Sequence, residues 1–258
     1  MKKSSSIKLY FLFFAIMLIN LFACEKGENK LAYQTGTSFK MMTLKGYSFV
    51  DATYLVNKKT GFKVIDFNKN QNNRPPVQVA FNSSDKALVF EFKNANSELS
   101  KNFSFKNNGL DTTLYFINLG DTILFNPNKP NATTGKMGLR FIFDSASTYT
   151  GSVDFEFHLM QNNNNQAVPA VSFVLTNIPQ NKLTYKVEIN KPSTTKQKYV
   201  VFVRKAGTTD LLPYTGSTGS TIGSFNIDFV ENQTNFFVIQ NTEIGNYSAQ
   251  NITQSVSK

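Results

Sequence analysis

The stretch Leu88-Val89-Phe90-Glu91-Phe92 carries the pattern that decides the fold class, with a large apolar residue at every second position. Successive side chains of a β-strand point to opposite faces, so this alternation predicts a strand with one buried face. Similar short runs rich in Val, Ile, Phe, Tyr and Thr recur from Lys45 onward, separated by clusters of Asn, Gly, Pro and Ser. No long amphipathic helical pattern interrupts them. The sequence therefore predicts an all-β fold.

The predicted strands form two sets of seven, a number that suits one β-sandwich per set. The first set covers residues 47–56, 62–67, 77–81, 87–92, 102–105, 113–118 and 122–125. The second set covers residues 138–143, 153–160, 171–175, 183–189, 199–205, 222–229 and 235–240.

The composition of the segment between the two sets predicts that it is a linker. Residues 127–136 contain Pro127 and Pro130, which lack a backbone donor, and few side chains that could pack a core. We therefore expect two consecutive β-sandwich domains, at residues 37–126 and 137–258, although one large β-domain of this length is an alternative. The runs 114–118 and 236–240 share a rhythm that suggests related halves, but no repeat can be aligned.

Residues 1–23 have the three regions of a bacterial signal peptide. Lys2, Lys3 and Lys8 make a basic start, an apolar run covers residues 9–21, and the small residue Ala23 follows. That run is shorter than the roughly 20 residues that a bilayer-spanning helix needs. Cys24 is the only cysteine, so the exported chain is predicted to fold without disulfides, on a core that a sequence with 14% aromatic residues, 25 Phe in its full length, can supply.

The tetrad Leu21-Phe22-Ala23-Cys24 resembles the lipobox of bacterial lipoproteins. This resemblance implies that the Cys24 thiol receives lipid, that the chain is cleaved before it, and that residues 24–36 form a lipidated tether. The tether is similar to the charged segment of surface-exported Bacteroidetes lipoproteins in its Glu25, Lys26, Glu28 and Lys30. The resemblance implies a lipid-anchored protein of the cell envelope, in the outer membrane, with the membrane face left open. An ordinary secreted protein is the alternative.

The second half contains Gly138-Leu139-Arg140-Phe141-Ile142-Phe143-Asp144-Ser145-Ala146, then Gly151-Ser152-Val153-Asp154-Phe155-Glu156-Phe157. Further on it contains Tyr199-Val200-Val201-Phe202-Val203-Arg204-Lys205-Ala206-Gly207-Thr208-Thr209. Over about residues 136–240 these motifs resemble a family of bacterial lipoprotein domains of unknown function. The family's Pro-rich turn is replaced here by Tyr149-Thr150-Gly151. The resemblance implies an immunoglobulin-like fold without an assigned activity.

The formal charge of +10 becomes +7 when the three lysines of the signal peptide are removed (10 − 3). The basic residues are scattered and charged residues make up only 17% of the chain, which argues against a nucleic-acid partner. Attraction to anionic lipids or acidic glycans is one interpretation of this charge. The other interpretation, which we favour, is a compositional bias toward Lys and Asn.

Few residues are candidates for catalysis. His158 is the only histidine, so a zinc site would need carboxylates for its other protein ligands. Strand alternation predicts a polar strand face formed by Asp154, Glu156 and His158. Such a face could bind a cation or shuttle a proton, but it is also typical of a half-solvated strand, the interpretation we favour. We predict no catalytic residue, no metal ligand and no cofactor.

Surface features leave two further hypotheses. Tyrosines predicted near loops could stack on sugars or simply cover apolar surface, the interpretation we favour: Tyr33, Tyr47, Tyr149, Tyr214 and Tyr247. Short Asp-Ser/Thr segments are similar to the acceptor of Bacteroidetes O-glycosylation, with candidate sites at Thr112, Thr122 and Ser145.

The sequence thus predicts a non-enzymatic, lipid-anchored envelope protein that binds a glycan or an envelope-protein partner, or has a structural role. An accessory glycan-binding subunit of an outer-membrane nutrient-uptake system is the main alternative. An envelope hydrolase is a distant third.

Overall fold

The computed structural model describes residues 37–51, 53–69, 75–95, 98–108, 110–144, 149, 151–161, 171–194, 197–212, 223–241 and 247–257. In this part of the chain sixteen β-strands form four four-stranded sheets, and a short helix follows the last strand. The first eight strands are β1 (Ser38–Ser48), β2 (Thr53–Asn57), β3 (Lys63–Phe67), β4 (Val77–Phe81), β5 (Ala87–Asn94), β6 (Ser100–Lys106), β7 (Thr112–Asn118) and β8 (Ile123–Phe125). The remaining elements are β9 (Lys136–Phe143), β10 (Val153–Gln161), β11 (Val171–Ile178), β12 (Val187–Asn190), β13 (Gln197–Lys205), β14 (Ser224–Ile227), β15 (Thr234–Asn241), β16 (Tyr247–Asn251) and helix α1 (Thr253–Val256). The predicted all-β fold with two consecutive sandwiches is confirmed.

The first sandwich consists of β1 to β8. One of its sheets has the strand order β4-β1-β7-β8 and the other has the order β3-β2-β5-β6. Side chains from both sheets share one apolar core, in which the Phe116 ring lies 4.8 Å from the Phe67 ring and 4.6 Å from the Phe92 ring. Tilted and edge-on ring contacts of this kind stabilise the core beyond the apolar area that they bury.

The second sandwich consists of β9 to β16. Its sheets have the orders β12-β9-β15-β16 and β11-β10-β13-β14. Their shared core is again aromatic, with the Phe155 ring 5.3 Å from both the Phe141 and the Phe225 rings. Strand β10 lies in the middle of its sheet between β11 and β13, so both its edges are paired.

The two sandwiches share one strand topology. Raising each strand number of the first pair of sheets by eight gives the two sheet orders of the second pair. In both halves the first strand pairs in parallel with the seventh, with Leu44 opposite Leu114 in one and Ile142 opposite Val238 in the other. The halves are therefore structural repeats of one another, and the similar runs 114–118 and 236–240 lie in the equivalent strands β7 and β15.

A third apolar cluster, which we call the joint, connects the sandwiches. It contains Tyr47, Phe49, Ile117 and Leu119 from the first half, Ile142, Phe236 and Val238 from the second, and Ile252 and Val256 from the C-terminal segment. The Tyr47 hydroxyl accepts a hydrogen bond from Gln240 (3.1 Å) and donates one to Gln250 (3.3 Å). Phe39–Phe81 and Asp85–Lys258 accordingly form one compact unit. The division into two domains at 37–126 and 137–258 stays a prediction.

The segment predicted as a linker lies along the second sandwich and contains no strand before β9 begins at Lys136. Thr133 donates its backbone N–H to Glu188 (2.9 Å), and Lys186 donates to the carbonyl oxygen of Asn131 (2.9 Å). Hydrogen bonds from Lys186 and Thr133 lower the pKa of Glu188 to about 2. This carboxylate therefore stays ionised near neutral pH and holds the segment in place.

Several elements differ from the predictions, among them β12, which begins at Val187 and not at residue 183. The predicted strand 47–56 is split, because the long strand β1 ends at Ser48 and β2 begins at Thr53. The sequence reasoning missed β1, whose buried positions include Lys40 and Gly46, and it missed β16 (Tyr247–Asn251), which has no β-branched residue. Each sandwich therefore has eight strands where seven were predicted. Among the described residues no helix is long and apolar enough to cross a membrane.

Candidate functional site

The polar strand face predicted on β10 is present, but it is buried. Asp154, Glu156 and His158 expose only 6%, 7% and 2% of their surface. The expectation of a half-solvated face was wrong, and one reason is that side chains of the neighbouring strand β13 pack on this face. The Phe202 ring lies edge-on to His158 with centroids 4.8 Å apart, and Arg204 forms an ion pair with Glu156.

Glu156 is the centre of a buried ion cluster. One of its oxygens lies 2.7 Å from Nε2 of His158, and the other contacts the guanidinium of Arg204. Burial by itself raises the pKa of Glu156, but hydrogen bonds and charge from Arg204 and His158 outweigh burial. The net pKa of Glu156 therefore lies below its ordinary value, and the group stays an anion with both oxygens occupied.

Asp154 binds backbone donors. Its carboxylate accepts hydrogen bonds from the N–H groups of Asn177 (2.7 Å) and Gly207 (2.9 Å). Both donors have a left-handed backbone, with φ of 54° at Asn177 within β11 and of 72° at Gly207 in the turn after β13. Asp154 therefore fixes an irregular point of the neighbouring strand β11 and the turn after β13. Sequence reasoning could not show this role, because the donors lie 23 and 53 residues away along the chain.

This cluster can position strands, but it lacks the composition of a metal centre. In the ranges that the structure describes, no group of three or more His, Cys, Asp or Glu could hold a metal ion. The carboxylates of Asp154 and Glu156 and the ring of His158 are engaged by protein groups. The predictions of no catalytic residue, no metal ligand and no cofactor stay predictions.

An open groove of about 340 Å³, which we call the end groove, lies beside the start of β13 and the end of β14. Its apolar floor includes Tyr199 and Ile227, which face each other on the two strands, and the partly buried Phe229. The Tyr199 hydroxyl donates to the carbonyl oxygen of Asn190 (2.9 Å), which fixes the ring. Burial raises the pKa of Tyr199, so its hydroxyl stays neutral.

The rim of the end groove carries groups of both charges. Lys191, Lys198 and Asp228 line it. The ammonium Nζ of Lys191 lies 2.6 Å from Oε2 of Glu231, so this carboxylate neutralises its charge. Among the described residues the structure gives no ion-pair partner for Lys198 or Asp228. The sequence predictions missed this groove, because its sides come from segments about 30 residues apart and no local motif marks them.

The predicted loop tyrosines do not form an aromatic platform in the described residues. Tyr47 and Tyr247 lie near the end of β1 and at the start of β16, but they expose only 0% and 6%, which contradicts the hypothesis that their rings stack on sugars. Burial raises the pKa of each to about 12. Tyr149 is half-buried against the second core, as expected of a ring that covers apolar surface. Tyr33 and Tyr214 lie outside the described residues.

The predicted modification sites have different surroundings. Thr122 is exposed in the turn between β7 and β8, whereas Thr112 is half-buried at the start of β7 beside Asp111, whose carboxylate accepts the N–H of Met41 (2.8 Å). Ser145, the lipid site Cys24, the signal peptide 1–23 and the tether 24–36 lie outside the described residues. All these modifications stay predictions.

Comparison with known proteins adds little to this geometry. No family model matches the chain, and no curated protein matches it. Among solved structures, one similar chain is that of a "putative cell adhesion protein" from Bacteroides ovatus, determined by crystallography. The alignment covers 83% of this chain and 96% of that chain at 10% identity, with a TM-score of 0.21. Such a low TM-score does not establish a common topology.

Proposed function

We propose that this chain is a lipid-anchored, non-enzymatic protein of the cell envelope that binds a ligand in the end groove. The observation that supports this function is the make-up of the groove. It combines an apolar floor at Tyr199, Ile227 and Phe229 with two charged groups, Lys198 and Asp228, that have no ion-pair partner among the described residues. Concave sites with an apolar lining and a few directed polar groups are typical of ligand binding.

The absence of an enzyme activity is part of this proposal. Hydrolysis of glycosides needs two placed carboxylates, and among the described residues that line the groove one is a carboxylate, Asp228. On β10, Glu156 contacts both His158 and Arg204, so these side chains support a role in stability. An envelope hydrolase is therefore the weaker alternative.

The lipid anchor is proposed from the lipobox resemblance at Cys24. Lipid attachment with more than one acyl chain gives stable membrane binding. It would concentrate the groove at the membrane surface, where a ligand captured there is available to membrane partners. This arrangement suits a receptor or an accessory subunit, including the glycan-binding subunit of a nutrient-uptake system.

Protease shaving of intact cells tests the proposal. Cells that produce the full chain or its Cys24→Ala variant are treated with protease, and their membrane and soluble fractions are compared with cells lysed beforehand. We expect the full chain in the membrane fraction and cleaved in intact cells, and the variant released. Release of both proteins without lipid would refute the anchor. Membrane association that protease cannot reach would move the protein to the periplasmic face and favour a structural role.

A further inference from the structure

We infer that the end groove binds one or two hexopyranose units of a neutral glycan. This inference rests on the proposed binding function and specifies its ligand. A groove of about 340 Å³ is at the small end of the range of about 300–1,000 Å³ typical of ligand pockets. It therefore fits a short part of a ligand and leaves the remainder of a chain outside its open side.

The floor suits the apolar face of a sugar ring. Phe229 is partly buried against the second core, which leaves part of its ring open to the groove. Tyr199 and Ile227, exposed by 5% and 1%, belong to the core cluster on which Phe229 packs. Rigid aromatic side chains supply contact area at a low cost in conformational entropy. The C–H groups of a pyranose can pack on this floor.

The rim suits sugar hydroxyls. A hydroxyl both donates and accepts hydrogen bonds. Lys198 can only donate them, whereas the Asp228 carboxylate can only accept them. Lys198 precedes Tyr199 in β13 and Asp228 directly follows Ile227 at the end of β14, and Tyr199 pairs with Ile227, so the donor and the acceptor come from two neighbouring segments of the lining. Hydrogen bonds to charged groups are the stronger ones, so these two contacts would orient the ring.

The charge balance selects a neutral ligand. Lys191 is neutralised by Glu231 at 2.6 Å, and Lys198 and Asp228 have opposite signs. The charges of the described residues at the groove therefore balance, which gives no net attraction for a polyanion or a polycation. This local balance contrasts with the basic charge of the whole chain.

Affinity electrophoresis tests the ligand class. The full chain, extracted in mild detergent, is run through native gels that contain dextran, mannan, mixed-linkage β-glucan or, as an acidic comparison, polygalacturonate. We expect retardation by at least one neutral polysaccharide, and its loss in Phe229→Leu, which keeps an apolar side chain on the core but removes the ring. Asp228→Asn and Lys198→Gln should each raise the dissociation constant about tenfold, because each replaces a charged hydrogen-bonding group by a neutral one.

Matched controls separate the groove from the remaining surface. Phe62→Leu removes an exposed ring from the first sandwich, and Asp210→Asn removes an exposed carboxylate outside the groove. Both should bind like the unaltered chain. Thermal unfolding of every variant shows whether it folds, and Lys198→Gln and Asp228→Asn, at exposed positions, keep the test valid if Phe229→Leu does not.

Each other outcome overturns the inference in a distinct way. Retardation that survives all three groove variants would place glycan binding outside the end groove, which refutes this inference and the groove of the proposed function but leaves the lipid anchor untouched. Retardation by polygalacturonate alone would refute the neutral ligand. If no polysaccharide retards the chain but cross-linking in cells captures an envelope protein, the ligand is a protein and only this inference fails. If neither occurs, the proposed function fails with it.

Discussion

At the scale of single residues, the amide of Asn118 shows how this fold tolerates polar groups in its interior. Its nitrogen donates to Thr53 at 2.8 Å and to Asn94 at 2.5 Å, and all three side chains are buried. We expect Asn118→Ala to destabilise the protein by about 1–3 kcal/mol or more, because buried acceptors lose their donor. Urea unfolding measures this loss. The control Asn102→Ala, on the exposed side of β6, should change stability little, and equal effects of the two variants would contradict the assignment.

Glu156 gives the protein a stability that depends on pH. Because its folded pKa lies below its unfolded value, the ionised group stabilises the fold above the ordinary Glu pKa of about 4.3. That contribution disappears as the pH falls through the folded pKa. We expect Glu156→Gln to be less stable than the unaltered chain at pH 7, with a difference that shrinks toward pH 3. Urea unfolding across this range, with the exposed Glu98→Gln as control, measures it, and a constant difference would contradict the ion cluster.

Residues of this kind mark where sequence reasoning ends. The alternation on β10 correctly predicted that Asp154, Glu156 and His158 share a face, because the side-chain period of a strand is local. Their burial depends on β13, whose Arg204 is 48 positions after Glu156 and pairs with it through the fold. No local pattern contains that partner.

At the scale of elements, the parallel pair of β1 and β7 depends on a close approach at Gly46. A Cβ atom there would overlap the ring of Phe116, which covers the glycine from the partner strand. Gly46→Ala should therefore push this ring into the core and destabilise the protein by about 1–3 kcal/mol. Thermal unfolding checks it. Thr43→Ala, on the other face of the same strand, is the control, and a neutral Gly46→Ala would show that the strands lie further apart.

Most strands could be predicted because their signal is local. Strand β5 was predicted from the run of alternating apolar residues that begins at Leu88. Clusters of Asn, Gly, Pro and Ser separate the other predicted strands in the same local way. Strand β1 could not, since Lys40 sits among its buried residues with its ammonium 5.5 Å from the Phe81 ring centroid. A lysine on the inner face breaks the pattern that sequence reasoning looks for.

At the scale of the whole molecule, the joint should make the sandwiches unfold together. Ile252 is 1% exposed within an apolar cluster that both halves share. We expect Ile252→Ala to destabilise the chain by about 2–5 kcal/mol and to lower the unfolding midpoint of both sandwiches. Hydrogen exchange in urea, read on peptides from β5 and β13, measures each half. A shift confined to the second sandwich would show two energetically independent domains.

The repeat of the sandwiches could be suspected from the sequence, but only the strand pairing establishes it. The rhythm shared by residues 114–118 and 236–240 pointed to related halves, and these runs do lie in equivalent strands. The parallel pairing that proves the equivalence joins β1 to β7 across about 70 residues, so it depends on the complete chain. The joint, likewise, needs residues from Tyr47 to Val256.

The central claim, that a lipid-anchored chain captures a ligand in its end groove, can be tested by one binding measurement on membranes. Membranes from cells that produce the unaltered chain, Cys24→Ala or Phe229→Leu are incubated with the fluorescently labelled polysaccharide that retards the chain most in gels. We predict that only membranes with the unaltered chain retain the label, because one variant lacks the anchor and the other lacks the ring of the groove. Equal retention by all three membranes would contradict the account.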